Sequence, residues 1–199
     1  MSESDSTGFF WSDRSAWRGR RPSALALTRL RRGAGQSPGA VPGLWEYYRA
    51  PSVPGRMSVE LHAEHITLGL FAAHQRARRA TVHVAGREFA AVLGRLRALE
   101  PAAVAGLDRR FAAAVASPTR CELADHLHSL IARLGRLLKN GFDYDQLYQD
   151  IREWENPDSV PGIRRRWGSR YFIAERAGME QPATAFLASL SIQEPHDNH

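Results

Sequence analysis

Residues 123–138 read LADHLHSLIARLGRLL. Leu123, Leu127, Leu130, Ile131, Leu134, Leu137 and Leu138 fall at i, i+4, i+7, i+8, i+11, i+14 and i+15. That spacing is one face of an α-helix, because 3.6 residues complete a turn and a strand alternates every second residue. The stretch therefore predicts a helix lying on a core. Arg133 and Arg136 sit one turn apart opposite the leucines.

The same period extends in both directions. Downstream, Asn140-Gly141 ends the leucine helix, and Asp143 caps another that buries Tyr144, Leu147, Tyr148, Ile151 and Trp154. Asn156-Pro157 breaks it. A last helix is expected from about Val160 to Ala177, with Val160, Ile163, Trp167, Tyr171 and Ala174 on one face. Upstream, Ser117-Pro118 reads as an N-cap followed by an N1 proline. Before it come helices over Leu107–Val115 and Arg87–Leu99, with Pro101 between them. A long helix from about Met57 to Arg79 places Leu61, His65, Leu68 and Phe71-Ala72 on one face. A first helix opens at Arg21-Pro22-Ser23 and stops at Gly33 and Gly35. The connector SPGAVPG then leads to Leu44-Trp45-Glu46-Tyr47-Tyr48, and Pro51 with Pro54-Gly55 marks a loop. The best strand signal, Thr81–Val84, is short. The expectation is an all-α protein of about eight or nine helices. They form two small bundles, residues 1–104 and residues 105–199, with the seam between Leu99 and Leu107 and a frayed tail at QEPHDNH.

Composition limits the function classes. The chain has 199 residues, 43% of them hydrophobic, which is enough for a core. No run of about 18 apolar residues exists to span a membrane. The N-terminus lacks the basic and apolar regions of a secretory signal, so a cytoplasmic protein is expected. The single cysteine, Cys121, excludes an intrachain disulfide framework. The net charge is +6, and Lys139 is the only lysine among 27 basic residues. Residues 1–104 hold 15 arginines against 8 acids, and residues 105–199 hold 12 basic residues against 13 acidic ones. A basic excess attracts polyanions.

Catalytic constellations are missing. There is no P-loop, no dinucleotide fingerprint and no G-x-S-x-G elbow. His62 and His65 lie at i, i+3 and could supply two metal ligands to a small nuclease or hydrolase, but no third ligand announces itself. Asp143, Asp145 and Asp150 lack the loop glycine and terminal glutamate of a calcium site. Cys121 has no obvious base in sequence beside it and reads as core filler. The expectation is a protein without enzymatic activity, cofactor or metal.

Arginine is what remains. In Ile163–Phe172, IRRRWGSRYF, the rings anchor a helix, and Arg164, Arg165, Arg166 and Arg170 are expected on its other sides. Arg133 and Arg136 repeat the arrangement, and Arg109 and Arg110 precede Phe111. Arg29, Arg31 and Arg32 crowd the end of the first helix, and Arg76, Arg78 and Arg79 the end of the long one. Guanidinium groups bind phosphate bidentately and stay charged, giving affinity without base readout.

Several segments together resemble a known family. ALALTRLRRGAG…SPGAVPGLWEYY (residues 24–48), GLDRRFAAAVAS (106–117), LHSLIARLGRLLKNGFDYDQLYQDIREWENPD (127–158) and RRRWGSRYF (164–172) resemble the CasB family, the small subunit of the type I-E CRISPR Cascade complex. The Asn156–Ile163 connector is slightly longer than the family's usual link. The resemblance implies an all-α, two-domain, non-catalytic subunit. Its implied partners are the other Cascade subunits, the crRNA, both strands of the target DNA in the R-loop, and a second copy of itself, head to tail. Carried onto this sequence, the phosphate contacts would be Arg29, Arg31, Arg32, Arg109, Arg110, Arg133, Arg136, Arg164, Arg165, Arg166 and Arg170. The segment Asp143–Asp158 holds six acids against Arg152. That acidic face, Asp145 and Asp150 included, is expected to meet the basic half of an adjacent copy or another subunit.

Overall fold

A computed structural model describes residues 8–12, 17, 22–50, 57–76, 78–137 and 141–180. Seven α-helices lie among them: α1 (Ala24–Gly33), α2 (Val59–Gln75), α3 (Phe89–Leu99), α4 (Val104–Ala116), α5 (Arg120–Leu137), α6 (Tyr144–Arg152) and α7 (Val160–Glu180). Short 3-10 turns occupy Pro42–Tyr47 and Pro101–Ala103. No named strand occurs among the described residues, and the fold is all-α. Thr81–Val84 yields a single bridge, His83 to Phe142. Expectations for Arg21, Pro51, Pro54-Gly55, Leu138, Asn140 and the tail lie outside the described residues, as do those for the side chains of Leu137 and Ala174. No helix of the described residues is long and apolar enough to cross a membrane.

Small polar side chains set the helix starts. Ser23 accepts from the amide of Ala26 and Ser58 from that of Leu61, both at 3.1 Å. Asp143 accepts from the amides of Asp145 and Gln146, as its place before Tyr144 predicts. Helix α5 departs from expectation. Thr119, not Ser117, caps it, accepting from Glu122 N at 3.2 Å. The Ser117 carbonyl is engaged elsewhere, by Trp154 Nε1 and Arg164 Nη2, each at 2.9 Å.

Helix α2 lies at the centre, against α1, α5 and α6. Burial runs all round it from Leu61 to Gln75, with only His62 and Ala73 partly open. Two of its buried polar side chains are matched by backbone outside the helix. Glu64 accepts from Arg49 N at 2.8 Å and Ala50 N at 2.7 Å. Gln75 donates to Ala80 O at 2.9 Å and accepts from Val82 N at 3.0 Å. Helix α7 packs along α3, with Trp167 between Trp154 and Phe89 and Tyr171 stacked on Phe111 at 3.9 Å. Gly141 lets the chain pass Val82, because a Cβ there would stand 2.1 Å from the Val82 carbonyl oxygen. Helices from either side of the expected seam share one continuous buried cluster, from Phe10 to Tyr171. The N-terminal aromatic run joins it: Trp11 is fully buried, with Nε1 donating to Asp145 at 2.7 Å.

The structure corrects the expected acidic face. Asp150 is 4% exposed and accepts from Trp167 Nε1 at 2.7 Å, Gln146 Nε2 at 3.0 Å and Arg166. Those inward donors remove it from any partner surface. Asp145 is half-open but already carries the Trp11 indole.

Candidate functional site

The eleven arginines named from sequence divide by partner. Arg32, Arg109 and Arg165 are exposed, with no hydrogen bond or ion pair to another described residue. Arg29 pairs with Glu46 at 2.8 Å, both open to solvent. Arg31 donates to Thr28 Oγ1 at 3.1 Å, and Arg110 reaches back one turn to Gly106 O at 2.9 Å. Arg133 is half-buried on α5, its Nε covered without an acceptor. The Arg136 side chain lies outside the described residues.

Helix α7 holds the main departure. Arg164 does not stand clear of the rings: it donates to Ser117 O, and its guanidinium lies over Trp154, 5.5 Å from the ring centre. Arg166 bridges the buried Asp150 carboxylate and, at 3.9 Å, Glu88. Arg170 pairs through Nε with Glu88 Oε1 at 3.0 Å and stays largely exposed. Arg165 alone of the triplet points freely outward.

Arg170 also borders a cleft of about 230 Å³ between the start of α3 and α7, lined by Gly86, Arg87, Glu88, Ala91, Val92 and Arg95 besides. Arg95 lies on α3, one turn after Ala91, whereas Arg87 precedes the Glu88 N-cap and comes to the cleft from the loop before the helix. Neither pairs with a described carboxylate. Three arginines thus line a concavity that also holds one carboxylate, and phosphate or another multivalent oxyanion suits that lining. Arg87 and Arg95 were missed from sequence because they stand outside the runs of adjacent arginines. No helical spacing joins them, because Arg87 precedes the α3 N-cap. Arg97, on another face of α3, is structural. It holds Asp108 through contacts of 2.8 and 3.1 Å, which together with the Tyr171 hydroxyl at 2.6 Å keep that carboxyl below its usual range.

The two histidines do not act as a pair. The Nδ1 atom of buried His65 lies 2.6 Å from the Tyr48 hydroxyl, and half-buried His62 turns Nε2 to within 3.8 Å of Cys121 Sγ. Burial lowers the pKa of both rings. Cys121 is exposed, not core filler, because it falls beside the leucine stripe. Among the described residues one trio, His83, Asp143 and Asp145, could gather around an ion. Its lone pairs already serve the fold. Asp143 caps α6 and accepts Gly86 N at 2.7 Å. His83 Nδ1 accepts Tyr144 N at 3.2 Å, so the neutral ring carries its proton on Nε2, facing Asp145. The donor set is poor for a metal and good for fastening the α6 N-terminus.

The profile of the family described as CRISPR-associated protein Cse2 matches residues 26–172. The chain belongs to the Cse2 family. CasB from Thermobifida fusca is similar in structure, with a TM-score of 0.59 and 27% identity over 74% of this chain and 84% of that one. A Cse2-family CRISPR-associated protein from Thermus thermophilus matches with a TM-score of 0.55 and 24% identity, over 74% of this chain and 85% of that one. At that identity the second shows the fold alone. A search of curated proteins returns no match. The Cse2 match contains the eleven arginines named from sequence, with Arg87 and Arg95, and leaves out the buried Phe10, Trp11 and Trp17.

Proposed function

We propose that this Cse2-family chain is the non-catalytic small subunit of a Cascade complex, holding nucleic-acid backbone without regard to base order. The observation that carries this is the convergence of Arg87, Arg95 and Arg170 on one cleft. Arg32, Arg109 and Arg165 stand free elsewhere on the helices. In RNA-guided complexes base pairing reads the sequence and the protein reads backbone. A surface of arginines without a base-reading element suits that division. The proposed ligands are the crRNA and the target DNA strands of the R-loop. The proposed partners are the other Cascade subunits and a second copy, head to tail, in the cytoplasm.

The test is salt-titrated binding of the full chain to labelled single strands of unrelated sequence. Binding should weaken steeply with salt and alike for all sequences. Each phosphate contact contributes a slope of about −0.7 on single strands. Replacing Arg87, Arg95 and Arg170 by Ala should therefore flatten the slope by about 2. An unchanged slope and affinity would refute the assignment of the cleft. Cleavage of the strand that vanishes in His62→Ala would refute the absence of catalysis.

A further inference from the structure

We propose that Glu88 is a carboxylate stand-in for phosphate, occupying Arg170 until a polyanionic strand displaces it. The inference rests on the nucleic-acid reading of the cleft and adds how the cleft is guarded. Glu88 takes the N-cap position of α3, yet its side chain caps no amide of that helix. Its carboxylate goes instead to Arg170 at 3.0 Å and Arg166 at 3.9 Å, and to no other described group.

Both cations tolerate its departure. Arg166 keeps the buried Asp150, and the Arg170 side chain is 56% exposed. Release therefore leaves no buried cation without a partner. A phosphate offers Arg170 the same paired oxygens that the carboxylate does. It also reaches Arg87 and Arg95, which have no described carboxylate of their own. A ligand contacting all three guanidinium groups outcompetes Glu88, and a small monovalent anion contacting one does not. Glu88 so sets a threshold that favours a multivalent strand over simple anions.

The experiment measures binding of the full chain to a fluorescein-labelled oligothymidylate of about 20 nucleotides, chosen to span several phosphates. Glu88→Gln is compared with Glu122→Gln, which removes the same charge from the exposed first turn of α5. Glu88→Gln should tighten binding about two- to fivefold beyond Glu122→Gln, the range of an exposed ion pair. The gain should vanish in Glu88→Gln combined with Arg170→Ala. Equal effects of the two Gln variants, or a gain that survives loss of Arg170, would overturn the proposal. If Arg87→Ala with Arg95→Ala still weakens binding in that case, the cleft assignment stands and the guard alone fails. If that pair leaves binding unchanged, both fail.

Discussion

Asp150 is the carboxylate on which α6 and α7 are joined, and replacing it by Asn isolates its charge at nearly constant volume. Its Oδ2 accepts the Trp167 indole at 2.7 Å, and its Oδ1 accepts Gln146 at 3.0 Å and the Arg166 guanidinium. All three neighbours are donors. An asparagine offers one oxygen and one NH2 group, so if the oxygen stays with Arg166 and Gln146, the nitrogen faces the buried indole N–H. An orphaned buried donor costs about 1–3 kcal/mol. Losing one charge of a fully buried pair costs about 3–5 kcal/mol. Here the Arg166 side chain is 36% exposed and retains Glu88, which reduces that part to roughly 1 kcal/mol. The sum is about 3 kcal/mol, a large share of a typical 5–15 kcal/mol. Urea unfolding followed by far-UV circular dichroism should show that loss with an unchanged m value. In thermal melts it corresponds to a Tm lower by about 6–12 °C for a chain of this size. A loss under about 1 kcal/mol would show that the carboxylate does not join the two helices. The exposed Asp158 serves as control and should cost about 0.5 kcal/mol at most.

Three further outcomes follow from burial and space. Burial holds His74 neutral, with its pKa lowered from 6.5 to about 3. The unfolded chain then takes up a proton that the folded chain refuses, so this contribution is full above pH 6.5 and is lost as pH falls, by about 1.4 kcal/mol per unit. Urea titrations at pH 7 and pH 5 should differ by roughly 2 kcal/mol from this residue, and an equal difference in His74→Gln would contradict it. Gly141→Ala should destabilise by about 2–3 kcal/mol because its Cβ meets the Val82 backbone, whereas Gly168→Ala in the open on α7 should stabilise by up to about 1 kcal/mol. The reverse order in paired thermal melts would refute the packing at Val82. Asp108, held low by Arg97 and by Tyr171, stabilises the fold above the ordinary carboxylate pKa and ceases to as pH falls below it. Asp108→Asn should therefore flatten the acid limb of the stability curve below about pH 4, and an unaltered limb would argue against the Arg97 contact.

What the sequence disclosed depended on how local the deciding contact is. The α5 stripe is legible because five buried residues, Leu123, Leu127, Leu130, Ile131 and Leu134, follow one helical period. The Asp143 cap is legible because its donors lie two and three residues on. Burial all round α2 was not legible. Glu64, Thr67, His74 and Gln75 read as polar, and three of them find partners outside the helix: the Arg49 and Ala50 amides for Glu64, Tyr144 for His74, and the turn as far as Val82 for Gln75. Trp11 belongs to no periodic segment, and its partner Asp145 lies 134 residues away.

The arginine triplet of α7 shows where helical geometry held more than was taken from it. A helix turns by about 100° per residue. With Trp167 pointing inward, Arg166 stands about 100° to one side, Arg164 and Arg170 stand about 60° off, and only Arg165 lies nearly opposite. Rings and charges were expected on opposite faces, yet three of the four guanidinium groups flank the tryptophan. Residues at that angle ride the rim of a buried face, where long side chains lay their stems on apolar surface and look for acceptors. The acceptors they found are Ser117 O, Asp150 and Glu88, separated from them by 47, 16 and 82 residues. The helical angle by itself distinguishes Arg165 from its neighbours, but only the fold supplies the acceptors. It is also the fold that carries Arg170 to Arg87 and Arg95, turning a rim residue into the wall of a cleft.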